Sequence, residues 1–433
     1  MKLLIVGGGQ GQLRALRRAR QAGIQTVVSD MDPGAPGAAL ADAFVRADTF
    51  DPEATAAAAR RHGVDGIATL GTDQPVLTVT RAAEQLGLPR SLSVEQALAL
   101  TNKRYMKRWF DDCGIPHSPY RIVDSAFRPE ELEGLRPPLV LKPVDSQGQR
   151  GVVRLESAAQ VADYLPECLS YSREGYAVVE EFYAGHEITF SGWVREGRMY
   201  PLSITDRLTR PFYPHIGVCI AHSYPSRCFA EHGREITDIS RRIVEGFGIR
   251  RGPLYFQMLI GSEGVRVNEV AARIGGAYED EFIPALTGVD IDMLNFGEAL
   301  GSTGRPGGID AEASAALQAF RYPAGGALAV LLFFTEPMEV AAVGSEAALR
   351  ELPGVLSARY LLQPGRRVGP MYNSTGRAGY VIIQGSGPAQ VNRSIDRVYR
   401  SLVLRDPAGE NRVLNFARES YVEYSSEGGK LCD

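Results

Sequence analysis

The sequence predicts a multidomain protein combining α/β and α+β folds, on three observations. Strand and helix signals alternate over the first hundred residues, the pattern of a doubly wound domain around a parallel sheet. From PPLVLKP onward, strands succeed one another as hairpins, which belongs to an antiparallel sheet. The glycine-rich stretch GSTGRPGG, residues 301–308, then separates a last region of mixed strands and helix. A chain of 433 residues holds roughly three domains, with boundaries expected at 1–100, 101–305 and 306–433.

Taken in order, LLIVGGG reads as a strand running into glycines, LRALRRARQAG as a helix ended by Gly23, and IQTVVSD as the next strand. EATAAAARRHG is a helix, DGIATLG a strand, and VLTVTRAAEQLG a further helix. Ser93-x-x-Gln96 forms a capping box, and a helix starting near Thr101 stops at Gly114. The middle region offers the strands PPLVLKP, VVRLES, YAVVEEF, EITFSGWV and MYPLSITD. The helix REITDISRRIVEGFG and the hairpin LYFQMLI–GSEG–VRVNEVAAR follow. Beyond the linker come strands near AVLLFFT, SARYLLQ and AGYVIIQ and a helix in AQVNRSIDRVYRSL.

The formal net charge of −4 gives no basis for nucleic acid or an anionic membrane as the main partner. The apolar run in MKLLIVGGG is too short for a signal peptide, and ALAVLLFF is far short of a bilayer span. The five cysteines (113, 168, 219, 228 and 432) are odd in number and form no CxxC pair. That usage fits a reduced, cytoplasmic protein without a disulfide or zinc framework.

Gly7-x-Gly9-x-x-Gln12 follows the first strand and opens a helix, with Asp30 ending the second strand. The third glycine of a dinucleotide fingerprint is missing, so the stretch reads as a tight strand-to-helix turn.

Four features carry chemistry. Lys103 heads the helical stripe Lys103, Met106, Phe110. In LVLKPVDSQGQRGV, Lys142 ends a strand before a loop in which Ser146, Gln147, Gly148 and Gly151 offer backbone N–H donors, the kind of loop that covers phosphates. In VVEEFYAGHEITF, Glu180, Glu181, Phe182 and Tyr183 precede Glu187, a carboxylate placed to accept ribose hydroxyls. The fourth is the hairpin. Val265, Val267 and Glu269 share a parity, which places a carboxylate on an apolar face. A three-residue loop, Ser262-Glu263-Gly264, would pair Gln257 directly with Glu269, and glycine suits its last position. Two oxygen ligands then meet across the strands, fit for a hard cation that neutralises Glu269. Arg273 would point the same way, and Gly275-Gly276 permits close backbone approach.

In this order these stretches resemble the ATP-grasp superfamily across residues 1 to about 300. The resemblance implies an ATP-grasp fold with an N-terminal doubly wound pre-ATP-grasp domain, a lid at roughly 120–182, a larger lobe and a mixed C-terminal domain. It implies Lys103 and Lys142 on the ATP phosphates under the loop at Gly148, Glu180 to Tyr183 around adenine, and Glu187 on the ribose. Gln257 and Glu269 would hold Mg²⁺ (or Mn²⁺). Arg273, Lys142 and His222 form the expected catalytic set. Gln257 stands where an acidic ligand is usual, and Ala271 where an asparagine is common, which points to a weaker or single-metal site. KPVDSQGQRGV, AHSYPS, RIGG, LPGV, QPG and the S-x-x-R-A-GYVI run from Ser374 resemble the L-amino-acid ligase branch. That branch joins a carboxylate to an amine through an acyl-phosphate. The rival branch activates bicarbonate, as biotin carboxylase and the aminoimidazole ribonucleotide carboxylase ATPase do. The further rival is a nucleotide-binding protein without ligase activity. The acidic run Glu279-Asp280-Glu281 could receive an amine, and reads first as a solvated helix start. A homodimer through the first and last domains would be ordinary for the superfamily.

Overall fold

The computed structural model describes residues 1–303, 305 and 307–423. Gly304 and Pro306 of the expected linker, Cys432 and residues 424–433 of the expected last domain lie outside the described residues.

The first sheet contains β1 (Lys2–Val6), β2 (Gln25–Asp30), β3 (Ala43–Arg46) and β4 (Gly66–Ala68), all parallel, in the order β3-β2-β1-β4. Helices α1 (Leu13–Gln21), α2 (Pro52–His62) and α3 (Pro75–Leu86) make the crossovers. The short strand β3 carries no strong sequence signal, and it is the one element of this sheet that the periodicity does not announce. In the glycine turn, Gly8 N donates to Asp30 Oδ2 at 2.8 Å, and Gln12 Nε2 donates to the Leu70 carbonyl at 2.6 Å. Asp30 therefore holds its own turn.

Helix α4 (Val94–Ala99) opens on the expected capping box, and α5 (Lys103–Asp112) is capped by the Asn102 side chain. The large sheet has the order β13-β12-β9-β10-β11-β7-β6-β8-β5. Its strands are β5 (Tyr120–Val123), β6 (Leu139–Pro143), β7 (Val153–Leu155), β8 (Ala177–Glu181), β9 (His186–Arg195), β10 (Arg198–Phe212), β11 (His215–Tyr224), β12 (Arg251–Gly261) and β13 (Gly264–Ala271). Helix α6 (Val161–Ser170) packs with β5 to β8 around their own apolar cluster, including Leu139, Leu141, Val161 and Val179. Helix α7 (Phe229–Gly246) covers the β9–β13 end. Helices α8 (Glu279–Thr287), α9 (Ile291–Leu300) and α10 (Ala311–Ala319) then lead to β14 (Ala327–Phe333). Strand pairing runs on across the expected 305/306 boundary. β14 pairs with β11 from Ala221 to Tyr224 and, on its other edge, with the strand Gly379–Gly385. This seam brings the C-terminal region to the wall of the central cavity.

Candidate functional site

Between the strand ends lies a cavity of about 680 Å³ whose wall includes Lys103, Lys142, Glu187, Gln257, Glu269 and Arg273. The hairpin that supplies two of these reaches the expected pairing by an unexpected route. Gln257 does face Glu269, but Gly261 pairs with Gly264, so the loop is only Ser262-Glu263. A β-bulge between Gln257 and Met258 on one strand, with Asn268 the extra residue on the other, shifts the ladder by one. The parity argument for Glu269 is thereby corrected. Val265, Val267 and Val270 all enter the core, whereas Asn268 and Glu269 both reach the cavity. Glu269 never sits on the apolar face. Gly264 remains necessary, with φ of 84°.

Helix α5 sends Met106 and Phe110 into the core, and Lys103 leaves the end of that stripe for the cavity. Lys103 Nζ lies 3.1 Å from Glu269 Oε1 and donates to the Ser146 carbonyl at 3.3 Å. Burial opposes the Lys103 charge, but Glu269, Asp73 and Glu180 outweigh it and raise the pKa above its ordinary value. Burial likewise opposes ionised Glu269, and Lys103 and Lys142 hold it below the usual range.

Lys142 lies 2.5 Å from Glu180 Oε1 and 2.9 Å from Asn268 Oδ1. Lys107, one turn after Lys103, approaches Glu180 Oε2 at 2.8 Å. One buried carboxylate thus serves two buried ammonium groups. Glu180 is held down to about 2: burial works against its charge, and Lys107 and Lys142 overcome that. Lys142 is pushed down too, because burial, Lys107 and Lys103 together exceed the help from Glu180.

The expected nucleotide segment is partly committed. The Glu181 carboxylate accepts from Arg136 N, Nε and NH2 at 3.0, 3.2 and 3.0 Å. The Phe182 amide donates to the Pro138 carbonyl at 2.9 Å, so that N–H is not free for an adenine edge. Tyr183 Oη donates to the Gly264 carbonyl at 2.8 Å, fastening the hairpin turn to this segment. Glu187 accepts from Arg207 at 2.8 Å and from the Gln257 amide.

The glycine loop is clasped from both sides. Gln147 Oε1 accepts from Asp73 N at 2.8 Å, Gly148 O accepts from Ser374 N at 3.2 Å, and Ser374 Oγ meets Gln149 Oε1. The buried Ser146 hydroxyl has no hydrogen-bond partner among the described residues. A Cβ on Gly151 would come 2.8 Å from the Tyr171 ring. Arg273 pairs with Asp73 at 2.5 Å and lies over the Tyr255 ring at 4.3 Å. Burial opposes its charge, and Asp73 more than compensates, raising the pKa. Gly276 packs on the Gly71 carbonyl, where a Cβ would come within 2.9 Å, so the expected close approach is made.

His222 is buried at the cavity wall, with Nδ1 at 3.3 and 3.2 Å from the Thr189 and Thr205 hydroxyls and Nε2 at 3.4 Å from Cys219. Burial, then Arg207 and Arg377, lower it to about 3, so the ring is neutral. Glu279 and Asp280 open α8 but are buried and held above the usual carboxylate range, chiefly by burial. The run is not the solvated helix start expected. Glu279 accepts from Ser191 Oγ at 2.5 Å and from Gly275 N at 2.7 Å.

Asp73, Lys107, Asn268, Arg207 and Arg377 complete the site and escaped the sequence reading. Lys107 was accessible as the i+4 neighbour of Lys103. Asp73 was accessible from its place beyond the carboxyl end of a parallel strand. Nothing local marks Arg207.

The pairing of a parallel N-terminal sheet with this antiparallel lobe, cavity and glycine loop agrees with the comparisons. The family model described as ATP-grasp N-terminal domain matches residues 16–90. That described as L-amino acid ligase C-terminal domain 2 matches residues 330–405. The L-amino acid ligase of Bacillus licheniformis superposes with a TM-score of 0.77 at 18% identity, covering 94% of this chain and 98% of that one. The chain has the ATP-grasp fold. The phosphoribosylglycinamide synthetase of Anaerococcus prevotii shares this ATP-grasp architecture at a TM-score of 0.72 and 17% identity, covering 94% and 99%. At such identities the likeness is one of fold. In sequence, a phosphoribosylamine–glycine ligase of Ralstonia nicotianae is 29% identical over 200 residues, 44% of this chain. The match spans 46% of that relative's length.

Proposed function

We propose that this ATP-grasp chain is an ATP-dependent ligase that joins a small carboxylate, an amino acid or a related acid, to an amine, releasing ADP and phosphate. The observation that carries the reading is the direct pairing of Gln257 with Glu269 at a cavity that also collects Lys103, Lys142 and Arg273. The C-terminal match to the L-amino acid ligase domain supports a carboxylate–amine branch over a bicarbonate-activating one.

The donor set fits Mg²⁺: the Glu269 carboxylate and the Gln257 amide oxygen are hard oxygen ligands, and magnesium ordinarily completes its shell with phosphates and water. When bound, the ion would neutralise phosphate charge and polarise the transferring group.

Lys103 and Lys142 bind phosphate oxygens, and the Ser146 hydroxyl and glycine-loop amides add donors. The main-chain groups that residues 182–183 leave free, with Glu187, hold the nucleoside. Arg273, oriented by Asp73, stabilises charge on the transferring phosphoryl group and then on the oxyanion of the tetrahedral intermediate formed when the amine attacks the acyl-phosphate. His222, neutral in the wall, offers an uncharged hydrogen bond to the substrate and no proton. The lid loop excludes water from an intermediate that would otherwise hydrolyse. We further read residues 1–100, 101–305 and 306–433 as functional units, with the lid near 120–182; the separate apolar cluster of β5–β8 supports this. Among the described residues no helix is long and apolar enough to cross a membrane. The cysteine usage supports a cytoplasmic enzyme, working without nucleic acid, and a homodimer fits the fold.

The test is phosphate release from Mg-ATP against pools of amino acids and related acids, with and without a second amine. Release that needs one acid and yields a new amide by mass spectrometry supports the ligase. Release with bicarbonate alone overturns it in favour of a carboxylase.

A further inference from the structure

Charge pairing within the cavity isolates one residue. The buried cations Lys103, Lys142, Arg207 and Arg273 have the carboxylate partners Glu269, Glu180, Glu187 and Asp73. Among the described residues two cavity cations have no carboxylate within ion-pair distance. Arg150 belongs to the glycine loop, where it donates to the Gln147 carbonyl at 3.2 Å, and anionic phosphates are expected there. Arg377 is different. It comes from the C-terminal region, beyond the turn Ser374–Gly376, and reaches the opposite wall of the cavity. Its Nε is buried without a hydrogen-bond partner among the described residues.

Arg377 meets an aromatic pair: it shares a side-chain hydrogen bond with Tyr278, and no carboxylate among the described residues lies within ion-pair distance of it. Its guanidinium lies 5.7 Å from the Tyr278 ring, which stacks on Tyr380 at 3.5 Å and 18°. Tyr278 is held at φ of 62°, a conformation a non-glycine residue adopts only under local constraint. The wall next to it presents Cys219 and neutral His222. A guanidinium cannot shed its proton to relieve desolvation, so a partly buried one whose side-chain partner is a phenol lacks a counter-charge until a ligand brings the anion. The same turn holds the lid: Ser374 N donates to Gly148 O, and Ser374 Oγ meets Gln149.

We propose that Arg377 binds a substrate carboxylate other than the one being activated. It is either the free α-carboxylate of an amino acid serving as the amine, or the second carboxylate of a dicarboxylic acyl donor. The assignment deepens, and rests on, the ligase reading. Docking of that carboxylate and closure of the glycine loop act on one short turn, so substrate and nucleotide reinforce each other.

The experiment is calorimetric binding of individual L-amino acids to the full chain saturated with Mg²⁺ and a non-hydrolysable ATP analogue. Arg377→Met keeps the apolar stem against Tyr278 and removes the charge; Arg377→Lys keeps the charge. At least one amino acid should bind the native protein, weaken by about tenfold to a hundredfold in Arg377→Met, as for a charged hydrogen bond, and recover in part in Arg377→Lys. Without amino acid present, affinity for the ATP analogue should be unchanged. The α-amide of each ligand separates the two sources: an amide indifferent to Arg377→Met marks the α-carboxylate as the group held. A dependence confined to aspartate or glutamate and kept in their α-amides marks the side-chain carboxylate. Equal amino-acid affinity in native and Arg377→Met protein, or no amino-acid binding at all, overturns the proposal. Binding that depends on Arg377 while Mg-ATP turnover never appears would instead sink the ligase reading and leave the subsite standing.

Discussion

Replacing Glu180 by glutamine would leave Lys107 and Lys142 buried with no anion between them. Their ammonium groups lie 2.8 and 2.5 Å from the Glu180 oxygens, and their side chains are 1% and 5% exposed. The carboxyl is held down to about 2 from an ordinary 4.5, which corresponds to about 3 kcal/mol of charge stabilisation. Removal of one partner from a buried ion pair costs about 3–5 kcal/mol, so the two estimates agree. Because a depressed carboxyl stabilises the fold above its unfolded value, the increment is present above pH 4.5 and lost as the pH falls towards 2. Glu180→Gln should therefore lower the opening free energy of strands β6 and β8 by about 3 kcal/mol at neutral pH, read by hydrogen exchange across residues 139–143 and 177–181. The gap between native and variant protein should close on acidification through that window. Adding Lys107→Met should recover more than half of the loss, since one cation then remains, with Asn268 as its partner. A loss under about 1 kcal/mol, the size of a solvated pair, or no recovery in the double variant, would refute the reasoning.

Glu269→Ala should reduce Mg-ATP phosphate release by about a hundredfold or more, with Mg²⁺-dependent nucleotide binding weakened in parallel; unchanged Mg²⁺ dependence would remove Glu269 from the metal site. The His222 ring should show no proton titration by NMR between about pH 5 and 8, because its pKa lies near 3. A midpoint near its ordinary value would place it in a solvated setting. Gln147→Ala breaks the contact with the Asp73 amide and should raise KM for ATP severalfold with little change in melting temperature. Gly264→Val forces a β-branched residue to φ of 84° and brings its Cβ within 2.8 Å of Glu235; a loss of about 1–3 kcal/mol in denaturant titration is expected.

Much of the fold was legible because its signals are local. The helices α1, α2, α3, α5 and α7 follow apolar spacing within a few turns of chain, with side-chain N-caps on α2 and α5 and left-handed glycines ending α2 and α3. The Ser93 box closes as its four residues dictate. Lys103, Lys142, Gln257 and Glu269 could be nominated from position alone, and they meet at one cavity. Strand β3 could not, since its few residues are half-buried and its pairing depends on β2.

The hairpin marks the limit. The alternation V-R-V-N-E-V is compatible with a regular ladder or a bulged one, and the choice rests on what each register buries. A regular ladder continuing from the Gly261–Gly264 pair would set Asn268 opposite Gln257; the bulge brings Val270 into the core with Val265 and Val267 and gives Lys142 and Lys103 an oxygen each. By itself the sequence determined the elements with strong local signals, the glycine loop and the lysines near it, because those are properties of short windows and of side-chain chemistry. Strands β5 and β11 and helices α6, α8, α9 and α10 carried no such signal and emerge only in the fold. Tertiary structure alone decided that one buried carboxylate neutralises Lys107 and Lys142, that Asp73 aims Arg273, and that Arg377 arrives without an anion. Charge pairing among buried groups is a long-range condition: Asp73 and Arg273 are 200 positions apart and meet at 2.5 Å only after the sheets have packed.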